Sequence, residues 1–216
     1  EILYIGYSLP NPTFTSVHPV LSPVNEAVVV SIFGNDFLPS SKLYCSFDGA
    51  VQNTSYVNSK HLTCNAPVKA NIGSIEFIIF NASNQTLYEG QFQYYENPAI
   101  EYFDPVQGPS IGGVNVTLFG TGFFDSPSLE CRFGGIPNFN VEFINSSTVI
   151  CIDVTDYIYE SPRTVVVEFS ENAYNYVDAS EEYYFSGYVP TPHASQTIQT
   201  SSIPIVSAST EADRTV

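Results

Sequence analysis

The sequence repeats itself, and that periodicity constrains the fold more than any single motif. One stretch reads Val28-Val29-Val30-Ser31-Ile32-Phe33-Gly34-Asn35-Asp36-Phe37, followed by Leu43-Tyr44-Cys45-Ser46-Phe47-Asp48-Gly49. About 86 residues later come Val114-Asn115-Val116-Thr117-Leu118-Phe119-Gly120-Thr121-Gly122-Phe123 and Leu129-Glu130-Cys131-Arg132-Phe133-Gly134-Gly135. A second cysteine follows each block, in Leu62-Thr63-Cys64 and Val149-Ile150-Cys151. Each copy closes on an aromatic run and a proline, Phe92-Gln93-Tyr94-Tyr95-Glu96-Asn97-Pro98 and Tyr183-Tyr184-Phe185-Ser186-Gly187-Tyr188-Val189-Pro190. A fixed period of this size means one structural unit used twice, with boundaries at 11–97 and 98–189.

Within each copy the apolar residues alternate with period two. Val28, Val30 and Ile32, and their counterparts Val114, Val116 and Leu118, are expected to face a core, with Asn115 and Thr117 facing solvent. Ile75–Phe80 and Val165–Phe169 read as further strands, and Gly, Pro, Asn, Asp and Ser clusters separate the runs. No long stretch keeps a helical period. The composition agrees: 15 Tyr and 16 Phe with no Trp and no Met, residues that suit a pleated, half-buried surface. Several short strands per 90-residue unit predict an all-β chain of two tandem two-sheet sandwiches.

The ordered set Pro105-Val106-Gln107-Gly108-Pro109-Ser110-Ile111-Gly112-Gly113, the Val-x-Val-x-Leu strand, Phe-Gly-x-x-Phe, Leu-x-Cys-x-Phe-Gly-Gly and the closing Tyr-Tyr-Phe resembles the IPT/TIG family of immunoglobulin-like domains. The resemblance covers both copies. In the first, Pro19-Val20-Leu21-Ser22-Pro23 replaces the Gly-Pro-x-x-Gly-Gly segment, so that turn is expected to differ. The family resemblance implies spacer and recognition modules such as those in the ectodomains of adhesion and guidance receptors.

Charge removes other classes. Twenty-two acidic residues against 6 basic ones give a formal charge of −16, which repels nucleic-acid phosphates and anionic lipid heads alike. The IPT/TIG-like modules of Rel-type transcription factors fail on this charge and on the cysteines. No run of about 18 apolar residues exists, so this chain is expected to hold no membrane-spanning helix.

The four cysteines allow three pairings. Repeat symmetry favours Cys45–Cys64 and Cys131–Cys151, each closing a loop that would contribute about 3 kcal/mol; buried free thiols in a cytosolic protein are the alternative. No Cys-x-x-Cys or His-x-x-x-His spacing suggests zinc. Five Asn-x-Ser/Thr sequons, at Asn53, Asn81, Asn84, Asn115 and Asn145, mark candidate N-glycosylation sites, although a chain rich in Asn, Ser and Thr makes some by chance. Disulfides and glycans together predict an extracellular protein, secreted or at the cell surface.

No catalytic arrangement emerges, so no enzyme and no cofactor are expected. His18, His61 and His193 are scattered and join no nucleophile motif. Glu181 and Glu182 are strand neighbours and read as a solvated edge rather than an acid–base pair. Asp36, Asp48, Asp104 and Asp125 lie near turns but lack the dense Asp-x-Asp run of a calcium loop, and no metal site is expected. Gly34 and Gly120 are read as serving turn geometry. Tyr157-Ile158-Tyr159 and Tyr174-Asn175-Tyr176 offer either aromatic anchors for a partner or local packing.

The ends match neither copy. Residues 1–10 look like the closing strand of a missing upstream unit, as a fragment of a longer array would leave. Alternatively Ile2, Leu3, Tyr4, Ile5, Tyr7 and Leu9 form an assembly strand that adds to a sheet edge of another copy and builds a filament. The start carries no signal-peptide core, which fits a mature form or a fragment. Residues 190–216, with ten Ser or Thr, read as an O-glycosylated tail or linker. The functional expectation is a non-catalytic structural or adhesion protein that self-assembles; its alternative is a receptor ectodomain fragment that binds a separate protein, and a carbohydrate-linked accessory role is a third.

Overall fold

The computed structural model of the chain describes residues 11–156 and 162–187. Among these residues the regular elements are all strands, nine in each copy. The first nine are β1 (Thr13–His18), β2 (Leu21–Pro23), β3 (Val28–Asn35), β4 (Leu43–Phe47), β5 (Ala50–Asn53), β6 (Ser55–Asn58), β7 (His61–Ala66), β8 (Gly73–Asn81) and β9 (Thr86–Tyr95). The second nine are β10 (Ala99–Asp104), β11 (Gln107–Pro109), β12 (Val116–Thr121), β13 (Glu130–Phe133), β14 (Ile136–Asn138), β15 (Val141–Asn145), β16 (Thr148–Cys151), β17 (Arg163–Ser170) and β18 (Val177–Ser186).

The two sets fold alike. The first forms sheets β1-β3-β7-β6 and β2-β9-β8-β4-β5; the second forms β10-β12-β16-β15 and β11-β18-β17-β13-β14. Pairing is antiparallel except where β2 runs parallel to β9 and β11 parallel to β18. The likeness extends to irregularities. Both first strands carry a register shift, at Phe14/Ser16 and Ile100/Tyr102, and both end at a cis proline, Pro19 and Pro105.

Alternation builds the cores. Val28, Val30, Ile32, Phe47, Phe77, Ile79 and Phe92 fill the first sandwich, and Val116, Leu118, Phe133, Val167, Phe169, Tyr183 and Phe185 fill the second. Disulfides join the sheets in each: Cys45 of β4 bonds Cys64 of β7, and Cys131 of β13 bonds Cys151 of β16, all four residues buried.

Gly34 and Gly120 correct the sequence reading. They lie within β3 and β12, not in turns, and neither has a positive φ. Opposite the register shift, the carbonyl oxygen of Thr13 or Ala99 would stand 1.9 Å from a Cβ built there. Close backbone approach, rather than turn geometry, requires glycine.

The turn expected to differ does so, but beyond Pro19–Pro23 itself. Leu21–Pro23 pairs with β9 in the register that Gln107–Pro109 keeps with β18, so the course of the chain is retained. The departure falls two residues later. Asn25 takes a left-handed conformation (φ 62°), while the second copy uses Gly112 and Gly113 (φ 94° and 87°), and Glu26 stands where the other copy has Gly112.

Candidate functional site

Glu26 leads to the part of the molecule with the densest polar chemistry, the joint between the sandwiches. Only Glu96-Asn97-Pro98 separates β9 from β10, a reach of roughly 14 Å from Tyr95 to Ala99 even at full extension. The end turns of the two sandwiches therefore meet. Glu26 Oε1 accepts a hydrogen bond from Asn97 Nδ2 at 2.6 Å, and Oε2 accepts one from Asn175 Nδ2 at 2.6 Å. One carboxylate thus ties the linker and the β17–β18 turn to the first sandwich through two charge-assisted bonds.

Asn172 organises the same turn. It is buried, and its Oδ1 accepts from the Ser170 hydroxyl and from the backbone N–H groups of Tyr174 and Asn175. Its Nδ2 donates to Asn175 Oδ1 and, across the joint, to the carbonyl of Leu21 at 3.1 Å. Nothing in the repeat pattern marks Glu26 or Asn172, because the turns that carry them are where the copies differ.

The joint also carries a groove of about 350 Å³, lined by Ile72, Tyr94, Tyr95 and Phe124 among others. Tyr95 and Phe124 meet edge to face across it, ring centroids 5.2 Å apart. Behind Phe124 sits Glu171, fully buried. Its Oε1 accepts the Phe124 N–H, and among the described residues neither its Oε2 nor the Tyr95 hydroxyl has a hydrogen-bond partner. Burial without a full set of partners disfavours the charged carboxylate and pushes Glu171 up to about 8, against which the Phe124 N–H works only in part. Tyr95 is held above its ordinary value by burial first, and then by the nearby carboxylates of Glu171 and Glu26.

The other sequence-selected residues are dispersed. Asn53, Asn84, Asn115 and Asn145 are exposed and Asn81 is half-buried. Asn81 is also the most constrained: its Oδ1 accepts from the N–H groups of Ser83 and Gln85, and its Nδ2 donates to Gln85 Oε1. Asn115 and Asn145 lie by the sheet of β10, β12, β16 and β15, whereas Asn53, Asn81 and Asn84 flank the sheet of β4, β5, β8 and β9. Glu181 and Glu182 are both exposed on β18. Asp36 and Asp48 take left-handed backbone (φ 62° and 52°), Asp104 precedes the cis proline, and Asp125 is exposed. His18 ends β1, and His61 stacks on Phe33 with centroids 4.6 Å apart.

Tyr176 is not a free anchor. Arg132 lies 3.7 Å above its ring and its hydroxyl donates to Glu130 Oε1 at 2.8 Å, so it packs locally; Tyr174 remains exposed. Tyr157–Tyr159, the assembly strand Ile2–Leu9, His193 and the tail fall outside the described residues. Among the described residues no helix is long and apolar enough to cross a membrane, and no group of three or more His, Cys, Asp or Glu residues could hold a metal ion.

A family model described as the IPT/TIG domain matches residues 12–94 and again 98–176. Plexin-2 of Caenorhabditis elegans is 26% identical over 163 residues, 72% of this chain but 9% of that protein. Plexin-2 of Caenorhabditis briggsae is 26% identical over 145 residues, covering 64% and 8%. The chain thus spans less than a tenth of the relatives it matches. Among solved structures, the full extracellular region of Plexin A4 aligns with 86% of this chain and 16% of its own at 19% identity and a TM-score of 0.48. The surface glycan-binding protein PbSGBP-B of Prevotella bryantii aligns with 81% and 42% at 18% identity and a TM-score of 0.35. Likeness at those scores decides nothing about function. The two matched segments, which take in most of both sandwiches, show that the chain belongs to the IPT/TIG family, of which it carries two tandem domains.

Proposed function

We propose that these domains are part of a cell-surface receptor ectodomain, where they act without catalysis as a stiff spacer and a surface for a protein partner. The joint carries this reading. Linked domains move relative to each other by default unless something ties them; here a three-residue linker, the Glu26 bridge, the Asn172–Leu21 bond and the Tyr95–Phe124 contact all act together. Two inter-sheet disulfides suit an oxidising, extracellular setting, and the plexin relatives supply the receptor context. The filament reading draws no comparable support, since its assembly strand lies outside the described residues.

Two measurements test the proposal. The full-length product, expressed in cells, is expected at the surface of intact cells by antibody labelling; purely intracellular signal would overturn the receptor assignment. Small-angle scattering of residues 11–187 should give one narrow distance distribution that broadens in the Glu26→Ala, Asn175→Ala double variant. Equal distributions for both proteins would remove the stiff joint.

A further inference from the structure

On the outer face of the first domain lies an apolar groove. It encloses about 260 Å³ between Ser46, Gly49, Val51, Ile78, Phe80, Asn84 and Thr86. Tyr44 stacks against Phe80 beside it, ring centroids 5.5 Å apart, and Val51 is 55% exposed. In the second domain the register places Glu130 and Ser170 where Tyr44 and Phe80 pair, and Arg132 and Glu168 where Ser46 and Ile78 pair. Tyr176 covers that charged face. The first domain leaves its apolar face open, and open apolar patches mark a site of contact.

Two groove residues, Asn84 and Thr86, are the first and third members of one sequon. Asn84 is exposed and its side chain makes no hydrogen bond among the described residues, whereas the neighbouring sequon's Asn81 holds Gln85 through the very nitrogen a sugar would need. We propose that Asn84 carries an N-linked glycan whose first N-acetylglucosamine residues lie along Val51, Ile78 and Phe80, so that the groove is a glycan seat rather than a protein-docking site. The sugar's C–H face suits an aromatic and aliphatic floor, as aromatic side chains bury apolar area while tolerating a polar edge. Its hydroxyls keep the outer side wet, consistent with a bulky, solubilising surface modification. In forming the link, Asn84 Nδ2 attacks the anomeric carbon of a lipid-pyrophosphate-linked oligosaccharide. The C1–N bond forms, the C1–O bond breaks with its electron pair leaving on the lipid pyrophosphate, and one amide proton passes to a base.

The test uses the chain secreted from a eukaryotic host. Glycopeptide mass spectrometry should find Asn84 occupied. Asn84→Asp removes the acceptor and suits the left-handed turn (φ 59°), which Asp tolerates; Thr86→Ala abolishes the sequon by a second route. Both are expected to lower the melting temperature of the first domain by about 3 °C and to raise fluorescence of an apolar dye, while Asn81→Asp changes neither. An empty Asn84, or variants that match wild type in melting and dye binding, would overturn the seat. So would capture of a protein partner by the groove with the Asn84 glycan still attached.

Discussion

The outer faces of the two β8- and β17-centred sheets occupy the same place in the same fold, yet they are built from opposite chemistry. In the first domain the β4–β8 pairs facing outward are Tyr44↔Phe80 and Ser46↔Ile78; in the second the β13–β17 pairs are Glu130↔Ser170 and Arg132↔Glu168. Between them lie inward pairs that are apolar in both, Cys45↔Ile79 and Cys131↔Phe169. A strand alternates, so one face can be held to the core while the other drifts. The difference teaches where this fold is fixed and where it is free to take on a role.

The sharpest way to break the comparison is to attack what the domains share. Gly34→Ala and Gly120→Ala each place a Cβ against a backbone carbonyl that cannot move without disturbing β1 or β10. Each substitution is expected to cost about 3 kcal/mol or more, the upper end of overpacking because the obstacle is backbone. Calorimetry that resolves two transitions should show one domain melting early in each variant, and by a similar amount. A loss confined to one of them would mean that the register shift is structural in one copy and incidental in the other.

The unshared face sharpens it. Glu130 is buried, with Arg132 Nε at 2.8 Å and the Tyr176 hydroxyl at 2.8 Å on the same oxygen. Tyr176→Phe removes one donor from a buried carboxylate and is expected to destabilise the second domain by about 2 kcal/mol, the scale of a hydrogen bond to a charged group. Tyr44→Leu on the first domain should cost about 1 kcal/mol or less, since it loses a half-exposed aromatic contact and leaves no polar group stranded. Denaturant unfolding of both variants gives the ratio directly. Equal costs would show that the charged face contributes no more than the aromatic one.

How much of this was legible in the sequence follows the same division. The strands, the two-sheet sandwiches and the core residues could be read because Val28, Val30 and Ile32 repeat at Val114, Val116 and Leu118, and burial enforces that alternation. The requirement for Gly34 and Gly120 was visible but its cause was not, because the approaching carbonyl comes from a strand about 21 residues earlier in sequence. The joint was not legible. Neither Glu26 nor Asn172 belongs to a sequence motif, and only the meeting of two domain ends gives each a partner across the joint. The Tyr174–Tyr176 run left two readings open, and Arg132, 44 positions before Tyr176, settles the second ring as local packing.

The last test concerns the joint itself, where the domains stop being copies. Glu171 is buried beside the unpartnered Tyr95 hydroxyl, and its carboxyl is pushed up to about 8, against about 4.3 when solvated. The folded state therefore holds a proton that the unfolded chain releases between those values. The stability associated with this group is fully present below about pH 4.3 and is lost as pH rises through 8. Glu171→Gln removes that loss while keeping an oxygen for the Phe124 N–H. The variant should match wild type near pH 4, gain on it by about 1.4 kcal/mol per pH unit through neutral pH, and exceed it by about 4 kcal/mol at pH 8. Thermal unfolding at paired pH values reads the difference, and subtracting the two curves cancels every other titrating group. A difference that stays constant with pH would mean Glu171 ionises normally, so water reaches the carboxylate and the joint opens far enough to let it in.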